Sequence, residues 1–440
     1  MSVASLRLVT AVDADWEEAR RCWNLAVDQR PAAVTYPESA EDVRGAVEYA
    51  ATNGLRVAFQ GGGHNMGPIA WNEPVLLLRT DRMRGIEIDA RRRRARVEAG
   101  VLSDELTAAA AAHGLAFLAG TSPDVGVVGY ALGGGISWLA RRHGLACNSI
   151  VGAEVVTADG RLLRVGEDHE PDLFWALRGG GGNFAAVTAI ELALHPLTEL
   201  YAGALFWPQE RALEVLDAWR EWTKTVPDDC TSLGRLLDVP DLDEMPAHLR
   251  GRSFALVELA CLGDGAALVE PLRRLGPELD TVGPTPVTAL SAINMDPAAP
   301  VPYYGEGIHL ESLEAETVET VARLFVRSSL VHVEIRHLGG AVAARSPRHG
   351  ALDAIDSPYT TFAFGLAPDP EARAAVAADL VALYEGLAPW DGGRRYLNFT
   401  ESPVDLRAVF PERSYERLCA LKARYDPAGR FRANHSLEPA

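Results

Sequence analysis

The stretch Phe59-Gln60-Gly61-Gly62-Gly63-His64-Asn65 decides the fold, because three consecutive glycines end an apolar run that predicts a β-strand. Two more glycine clusters follow, Gly133-Gly134-Gly135 and Gly179-Gly180-Gly181-Gly182. Glycine tolerates positive φ angles and lets a ligand approach the backbone closely, so that successive N–H groups converge on phosphate oxygens. Each cluster alone is compatible with a tight turn or a close helix–sheet contact. Together they predict a binding site for a phosphate-rich cofactor.

The residues around these glycines exclude the two commonest nucleotide-binding loops. No Gly-Lys-Ser or Gly-Lys-Thr follows any cluster, so that none is a P-loop. The dinucleotide fingerprint requires a helix directly after its glycines, whereas residues 179–182 precede a predicted strand at 187–194. The remaining interpretation is a phosphate-rich cofactor bound by a scaffold of another type.

Composition narrows the classes of protein to which the chain can belong. With 440 residues, 48% of them hydrophobic, it can bury one large core or two of medium size. The formal charge of −18 disfavours a nucleic-acid partner, and the one basic cluster, Arg91-Arg92-Arg93-Arg94, is predicted to be a solvated turn. No apolar run reaches the length of a membrane span, and residues 1–10 carry no targeting pattern, so that we expect a soluble protein. Its five cysteines show no CxxC pair, zinc spacing or dense disulfide framework, which fits a reducing cytoplasm.

Helical and strand-like segments alternate between residues 32 and 196. Ser39 precedes an amphipathic segment at 43–50 as its N-cap, with Asp42 as the acid of the first turn. Asp159-Gly160 lies between two strand-like segments and predicts a hairpin. The strands expected here are 55–59, 75–78, 85–88, 95–99, 153–157, 162–165 and 187–194, with an alanine-rich helix at 106–113.

The composition changes after about residue 200, where glycine clusters become rare. Amphipathic helices at 211–226 and 313–328, between strands at 254–259 and 330–335, predict a second unit of α+β type. A further helix from residue 414 precedes Asp426-Pro427-Ala428-Gly429 and need not belong to that unit.

Four stretches are similar, in the right order, to the motifs of one family. Residues 59–65 resemble the Arg-Ser-Gly-Gly-His-Asn loop of FAD-linked oxidases of the berberine bridge enzyme type, within the vanillyl-alcohol oxidase superfamily. That family's second and third loops resemble residues 119–135 and 178–188, and its C-terminal signature resembles residues 426–434. The chain differs in having Gln60 and Gly61 where the family usually has Arg and Ser, and Ser122 where doubly linked members carry a cysteine.

The resemblance implies a two-domain α+β architecture, the PCMH-type FAD-binding fold with a separate α+β substrate domain. The FAD domain would cover 1–200 with its core at 31–196, the substrate domain would cover 201–409, and segment 410–440 would return to the FAD domain. The resemblance also implies FAD bonded at its 8α carbon to His64, by a single tether because Ser122 has no thiolate. The alternative for His64 is a loop histidine that only hydrogen-bonds a phosphate or a backbone group. The residues implied to bind FAD are Gly61, Gly62, Gly63, His64, Asn65, Gly120, Thr121, Ser122, Val125, Gly126, Gly129, Tyr130, Gly134, Gly135, Gly182, Val187 and Asn434.

The segment Tyr396-Leu397-Asn398-Phe399-Thr400 resembles the family's Tyr-x-Asn motif and alternates like a strand. On the substrate side of the flavin, Tyr396 would accept a proton, with Asn398 as its hydrogen-bond partner. A phenol is a weak base near neutral pH, so that this role requires neighbours that favour the phenolate. The alternative is a tyrosine that only packs in a sheet.

Residues 332–337 contain two histidines and a glutamate, but their pattern does not predict a metal site. On a strand, His332, Glu334 and Arg336 face one way and His337 faces the other, so that the histidines do not converge on one ion. Arg336 and His337 are candidates for the wall of the substrate cavity, and the alternative is a solvated strand face.

These features predict an FAD-linked oxidase that removes hydride from a C–H bond next to an OH or N of a small organic substrate, with O2 as acceptor. A flavin-dependent monooxygenase and a dehydrogenase are alternatives on the same fold, and a non-catalytic flavin-binding module is the alternative from another class. The presence of both His64 and Tyr396 argues against the module. An alanine- and arginine-rich composition is associated with bacteria in which such enzymes tailor natural products. Neither the substrate nor the oligomeric state follows from the sequence.

Overall fold

Four sheets organise the chain in its computed structural model, which describes residues 6–69, 71, 73–197, 199–243, 246–297 and 299–437. The first is parallel, in the order Ala33–Thr35, Val75–Arg79, Arg56–Gln60 and Phe431–Arg432. The second is antiparallel, in the order Ile86–Asp89, Arg94–Glu98, Ala186–Ala193, Ile150–Val156 and Leu162–Val165. A short pair joins Leu115–Ala116 to His195–Pro196.

The largest sheet is antiparallel and separates two cores. Alternate residues of a strand face opposite sides. Leu205 and Trp207 therefore pack under the helices on one face, whereas Ala204 and Phe206 pack against the first half of the chain. The strands run in the order Leu279–Asp280, Leu200–Pro208, Ser253–Leu262, Cys230–Asp238, His332–His337, Tyr359–Leu366 and Tyr303–Glu306, with Gly283–Thr285 and His309–Leu310 paired at the flanks.

Helices cover the outer face of the large sheet and connect the smaller ones. Those that cover it are Ala212–Thr223, Ala315–Phe325 and Pro370–Leu387. The other α-helices are Trp16–Ala19, Ala40–Thr52, Ser103–Ala111, Val127–Leu132, Ala140–His143, Pro171–Gly180, Ala266–Arg273 and Glu412–Tyr425. Short 3-10 helices are Ala146–Ser149, Gln209–Arg211, Val287–Ala292, Gly340–Val342, Ala388–Trp390, Leu397–Phe399 and Leu406–Ala408.

Local signals in the sequence place two of these elements as predicted. Ser39 Oγ accepts a hydrogen bond from the Asp42 N–H at 3.2 Å and begins the helix Ala40–Thr52. The strands on either side of Gly160, which has φ +79°, pair as an antiparallel hairpin.

The predicted strand at 396–400 is wrong. Residues Leu397–Phe399 form a 3-10 turn instead. The turn is closed by the Tyr396 carbonyl oxygen, which accepts from the Phe399 N–H at 2.9 Å and from Thr400 Oγ1 at 3.0 Å. The alternation of apolar and polar residues therefore reflects a turn whose side chains point in different directions, not a pleated strand.

The described residues contain one disulfide, Cys230–Cys261, whose partners are 31 positions apart and lie directly opposite each other on paired strands. Cysteine spacing did not predict this bond, because only the strand register brings the two residues together. Cys147 is buried as well, and burial raises the pKa of its thiol to about 12. Among the described residues, no helix is both long enough and apolar enough to cross a bilayer.

A buried ion pair ties the C-terminal segment to the third glycine loop. The side chain of Lys422, on the helix Glu412–Tyr425, is 1% exposed. Its Nζ donates to Asp426 at 2.6 Å and to the carbonyl oxygens of Asn183 at 2.8 Å and Phe431 at 3.2 Å. These bonds place the C-terminal strand beside the strand that leads into the first glycine cluster.

Replacing Lys422 with methionine is expected to lower the free energy of unfolding by about 3–5 kcal/mol, because it leaves the Asp426 carboxylate buried without its partner. Urea denaturation followed by circular dichroism measures the change. Arg417→Met on the same helix is the matched control, since Arg417 pairs with Asp172 at the surface, where an ion pair contributes less than about 1 kcal/mol. Equal unfolding midpoints for K422M and R417M would contradict the role of the buried pair.

Candidate active site

A cavity of about 330 Å³ lies where the glycine loops meet the large sheet. The backbone of three glycine-rich loops forms one wall, and residues 432–435 and the strand His332–His337 contribute to others. Of the residues predicted to bind the cofactor, those that line the cavity are Gly61, Gly62, Gly63, His64, Asn65, Gly120, Thr121, Ser122, Val125, Gly126, Gly129, Tyr130, Gly182, Val187 and Asn434.

Gly134 and Gly135 do not line the cavity, and their contact with the cofactor stays a prediction. A Cβ at Gly134 would approach the Tyr396 ring to 2.8 Å, and the Gly135 N–H donates to Tyr396 Oη at 2.7 Å. A Cβ at Gly133, which does line the cavity, would collide with the Asn398 amide. The second glycine cluster therefore holds the Tyr-x-Asn motif in place and makes little direct contact with the cavity.

The glycines of the backbone wall leave room for a ligand. A Cβ at Gly62 would lie 2.8 Å from the Asp124 carbonyl oxygen, so that this glycine lets two loops touch. Cβ atoms at Gly129 and Gly182 would meet no protein atom within 4 Å, although both residues line the cavity. Other lining residues carry buried polar atoms without a hydrogen-bond partner in the described structure: Asn65 Oδ1, Tyr130 Oη and His435 Nδ1. An open backbone wall with unpaired polar atoms fits a dinucleotide such as FAD.

An aromatic ring and a carboxylate hold His64 in the cavity wall. The His64 ring stacks on Trp23 with centroids 4.2 Å apart, and its Nε2 lies 3.0 Å from Asp124 Oδ1. Trp23 Nε1 donates to the other Asp124 oxygen at 2.5 Å. Burial of Asp124 opposes its ionisation, but the interactions with His64 and Trp23 hold the pKa of this carboxyl below its usual value. The carboxylate lies beside Nε2, and Nδ1 makes no hydrogen bond to a described residue.

Two donors converge on the phenol oxygen of Tyr396. The Gly135 N–H at 2.7 Å and Asn398 Nδ2 at 3.2 Å both donate to Tyr396 Oη. Burial nevertheless raises the pKa of Tyr396 above its usual value, although these two donors and the Arg336 charge oppose the rise. Tyr396 therefore has the neighbours that its predicted role requires, but its phenol is held in the neutral form.

The strand His332–His337 presents its two faces to different surroundings. His332, Glu334 and Arg336 line the cavity, and the Arg336 Nε donates to Glu334 Oε1 at 2.5 Å. Placing His337 in the cavity wall is wrong, because the alternation of the strand turns it to the other face, where its Nε2 lies 2.8 Å from Arg141 Nη1. Burial and the Arg141 charge lower the pKa of His337 to about 3.

Sequence reasoning missed the residues that the large sheet and its connections bring to the cavity. Glu401 is 5% exposed and accepts a hydrogen bond from Tyr303 Oη at 2.6 Å. Burial raises the pKa of Glu401 to about 8. Glu401 offered a signal as an acid shortly after the Tyr-x-Asn motif, and His332 and Glu334 offered one by sharing a strand face with Arg336. The others reach the cavity only through the tertiary structure. The missed lining residues are Asn294, Asp296, Tyr303, His332, Glu334, Phe362, Phe364 and Glu401.

Known proteins match this chain in sequence and in structure. A family model described as an FAD binding domain matches residues 31–166. (R)-6-hydroxynicotine oxidase of Paenarthrobacter nicotinovorans is 31% identical over 97% of this chain and 95% of its own length. Glucooligosaccharide oxidase of Sarocladium strictum is 25% identical over 96% of this chain and 90% of its own length.

Solved structures share the whole fold. The crystal structure of 6-hydroxy-D-nicotine oxidase from Arthrobacter nicotinovorans superimposes with a TM-score of 0.84 at 27% identity and covers 100% of this chain and 99% of its own. BBE-like 1 of Physcomitrella patens gives a TM-score of 0.86 at 19% identity over 99% and 97% of the two chains, which shows the fold alone.

The fold and the matches define an FAD-linked oxidase with the two-domain α+β architecture of the PCMH-type flavoproteins. The chain belongs to the family that contains (R)-6-hydroxynicotine oxidase, together with berberine bridge enzyme-like proteins and oligosaccharide oxidases. The predicted fold class, the use of FAD and the oxidase activity are thereby confirmed.

Replacing Glu401 with glutamine is expected to flatten the dependence of stability on pH. Burial raises the pKa of Glu401 to about 8 in the folded protein, from the ordinary 4.5 that an unfolded chain approaches. The folded state therefore keeps a proton that the unfolded state loses, so that this contribution to stability is full below about pH 4.5 and is lost as the pH rises toward about 8. Urea denaturation at about pH 5, 6.5 and 8 measures the slope.

The matched control for this experiment is Glu385→Gln, because Glu385 is an exposed glutamate on the helix Pro370–Leu387. E385Q should keep the slope of the wild type. A wild-type slope in E401Q as well would show that Glu401 is already ionised in the folded protein, contrary to the effect of its burial.

Proposed function

We propose that this protein oxidises a small organic substrate at a C–H bond next to an OH or N, with FAD attached covalently through His64 and O2 as the acceptor. The observation that carries the proposal is the convergence of His64 and Tyr396 on one cavity despite their separation in the sequence. When bound, FAD supplies the hydride acceptor. The relatives act, by name, on hydroxynicotine and on oligosaccharides, so that both nitrogen and oxygen compounds are candidate substrates.

The same arrangement supports separate parts of the chain for binding the cofactor and the substrate. We assign the cofactor to residues 1–200 and 410–440 and the substrate to residues 201–409. The glycine loops and the C-terminal residues 432–435 line the cavity together, and Phe431–Arg432 pairs with Arg56–Gln60 in one sheet. The large sheet supplies the facing residues.

The surroundings of His64 favour a single tether. With Nε2 engaged by Asp124, a neutral imidazole keeps its lone pair on Nδ1, which is the form that acts as a nucleophile. Stacking on Trp23 fixes the plane of the ring. The Ser122 hydroxyl donates to Asp296 and offers no thiolate for a second bond.

His64→Ala is expected to abolish covalent attachment. Acid-denatured wild type should stay yellow and exceed the mass of the chain by about one FAD, with the flavin on the peptide that contains His64, whereas H64A should lose both colour and added mass. Intact-protein and peptide mass spectrometry measure this. His113→Ala, an exposed histidine outside the cavity, is the control. Release of free FAD from the denatured wild type, or flavin on a cysteine peptide, would contradict the single histidyl tether.

The surroundings of the Tyr396 side chain favour a group that releases and takes up a proton. Removal of hydride from a carbon next to OH or N becomes feasible as the O–H or N–H proton leaves the substrate. The two donors at Tyr396 Oη, from Gly135 and Asn398, stabilise the phenolate by charge-assisted hydrogen bonds. Arg336 adds positive charge from the same cavity. Tyr396 is therefore our candidate for the proton acceptor.

Tyr396→Phe is expected to slow flavin reduction by substrate about 100-fold, the usual effect of losing a general base, with FAD still bound. Because burial raises the pKa of Tyr396, the wild-type rate should climb with pH through the neutral and alkaline range. Asn398→Ala removes one donor to the phenolate and should shift that climb to higher pH by about 1–2 units. Anaerobic stopped-flow absorbance measures the rates.

The control for the tyrosine series is Tyr49→Phe, a partly exposed tyrosine on the helix Ala40–Thr52. A Y396F rate equal to that of the wild type would leave Tyr396 as a packing residue. A separate aerobic assay tests the acceptor, since an oxidase releases one H2O2 for each O2 consumed, a dehydrogenase is indifferent to O2, and a monooxygenase places oxygen in the product.

A further inference from the structure

The segment 294–296 carries a strained residue between two polar side chains that line the cavity. Met295 has φ +53°, in the left-handed region that residues with a side chain rarely adopt. Asn294 and Asp296 line the cavity, whereas Met295 is 37% exposed. Backbone strain of this kind persists only where the surroundings fix it, and it concentrates at functional sites.

A buried guanidinium fixes this turn. Arg235 Nη1 donates to the Asn294 backbone carbonyl at 2.8 Å and to its side-chain Oδ1 at 2.9 Å. Arg235 itself is 1% exposed and lies 2.5 Å from the fully buried Glu258 carboxylate. The large sheet thus supplies a rigid base that holds the strained turn against the cavity.

The turn presents the Asp296 carboxylate to the cavity. Asn294 Nδ2 donates to Asp296 Oδ1 at 2.5 Å, and the Ser122 hydroxyl donates to Oδ2. These neutral donors orient the carboxylate without cancelling its charge. Ser122 belongs to the second glycine-rich loop, so that Asp296 lies where the substrate side of the cavity meets the cofactor side.

The cationic side chains near this turn each lie beside a carboxyl group other than that of Asp296. Arg336 is paired with Glu334, which also contacts His332, and Arg235 is paired with Glu258. Within the part of the chain that the structure describes, no lysine or arginine forms an ion pair with Asp296. Its partly exposed carboxylate therefore has no direct cationic partner among the described residues, and it would attract a ligand that supplies a cation.

Aromatic rings line the cavity with this carboxylate. Phe362, Phe364 and Tyr303 all contribute, with ring centroids of Phe364 and Tyr303 5.6 Å apart and of Phe362 and Phe364 6.0 Å apart. Aromatic faces bind apolar rings and also attract organic cations. Neutral polyols would gain little from the carboxylate charge.

We propose that Asp296 selects substrates that carry a protonated nitrogen attached to an apolar or aromatic body. The inference rests on the proposed function, because it assigns the substrate class of the same cavity. Asp296 would act by charge, while Asn294, Ser122 and the Arg235–Glu258 pair hold it in position. Aromatic and aliphatic amines are then the compounds to be oxidised, in preference to sugars and simple alcohols.

The test compares two probes of equal size on the FAD-loaded enzyme, benzylamine, which is protonated at neutral pH, and benzyl alcohol, which is not. Isothermal titration calorimetry under anaerobic conditions, with the flavin reduced beforehand so that neither probe can be oxidised, gives both dissociation constants. The wild type is expected to bind benzylamine at least about tenfold more tightly than benzyl alcohol. D296N and the smaller D296S should both reduce that ratio to about one and leave the benzyl alcohol constant unchanged.

Asp168→Asn serves as the control, because Asp168 is exposed and lies outside the cavity. This substitution changes the net charge by the same amount as D296N. D168N should keep the wild-type ratio. Equal binding of the two probes to the wild type, binding of neither, or an undiminished ratio in D296N and D296S would each overturn the proposal. Failure of the proposed function would look different, because selectivity for benzylamine would persist while no compound reduced the flavin.

Discussion

The buried ammonium of Lys422 is the interaction on which assembly of the cavity depends. An unpaired charge in the interior is strongly unfavourable, so that its acceptors on Asp426, Asn183 and Phe431 must be in place together. Asn183 belongs to the third glycine loop, and its side chain also bonds the backbone of His435. One buried charge therefore fixes the loop that forms one wall of the cavity and the segment that forms another.

Burial raises the pKa of each acid in and beside the cavity, and the partners of each acid decide whether it stays ionised. Asp124 stays ionised because His64 and Trp23 lower its pKa by more than burial raises it. Glu334 stays ionised because Arg336 has the same effect on its pKa. Glu401, whose main partner is a neutral phenol, is held in its protonated form. The cavity thus combines fixed negative charge with proton-bearing groups, and both kinds are present before any ligand binds.

Sequence predicted the parts of the molecule that local chemistry determines. The capped helix after Ser39, the hairpin at Gly160 and the glycine loops depend on a few adjacent residues, and the family motifs added the order in which they occur. It failed at 396–400, where alternation imitates a strand but a backbone carbonyl closes a turn. No sequence spacing predicts that Asp296 and Tyr303 line the cavity, because only the long connections of the large sheet bring them there. His337 could have been excluded from the cavity wall on sequence alone, because alternation along the strand places it on the face opposite Arg336.

The parallel pairing of Phe431–Arg432 with Arg56–Gln60 imposes an order on biosynthesis. The ribosome makes the strand that leads to His64 early and its partner strand only after the whole large sheet has emerged. Until then the first sheet has an open edge, and the wall formed by residues 432–435 does not exist. The nascent chain therefore cannot form the complete cavity until the C-terminal strand has been made and both halves have folded.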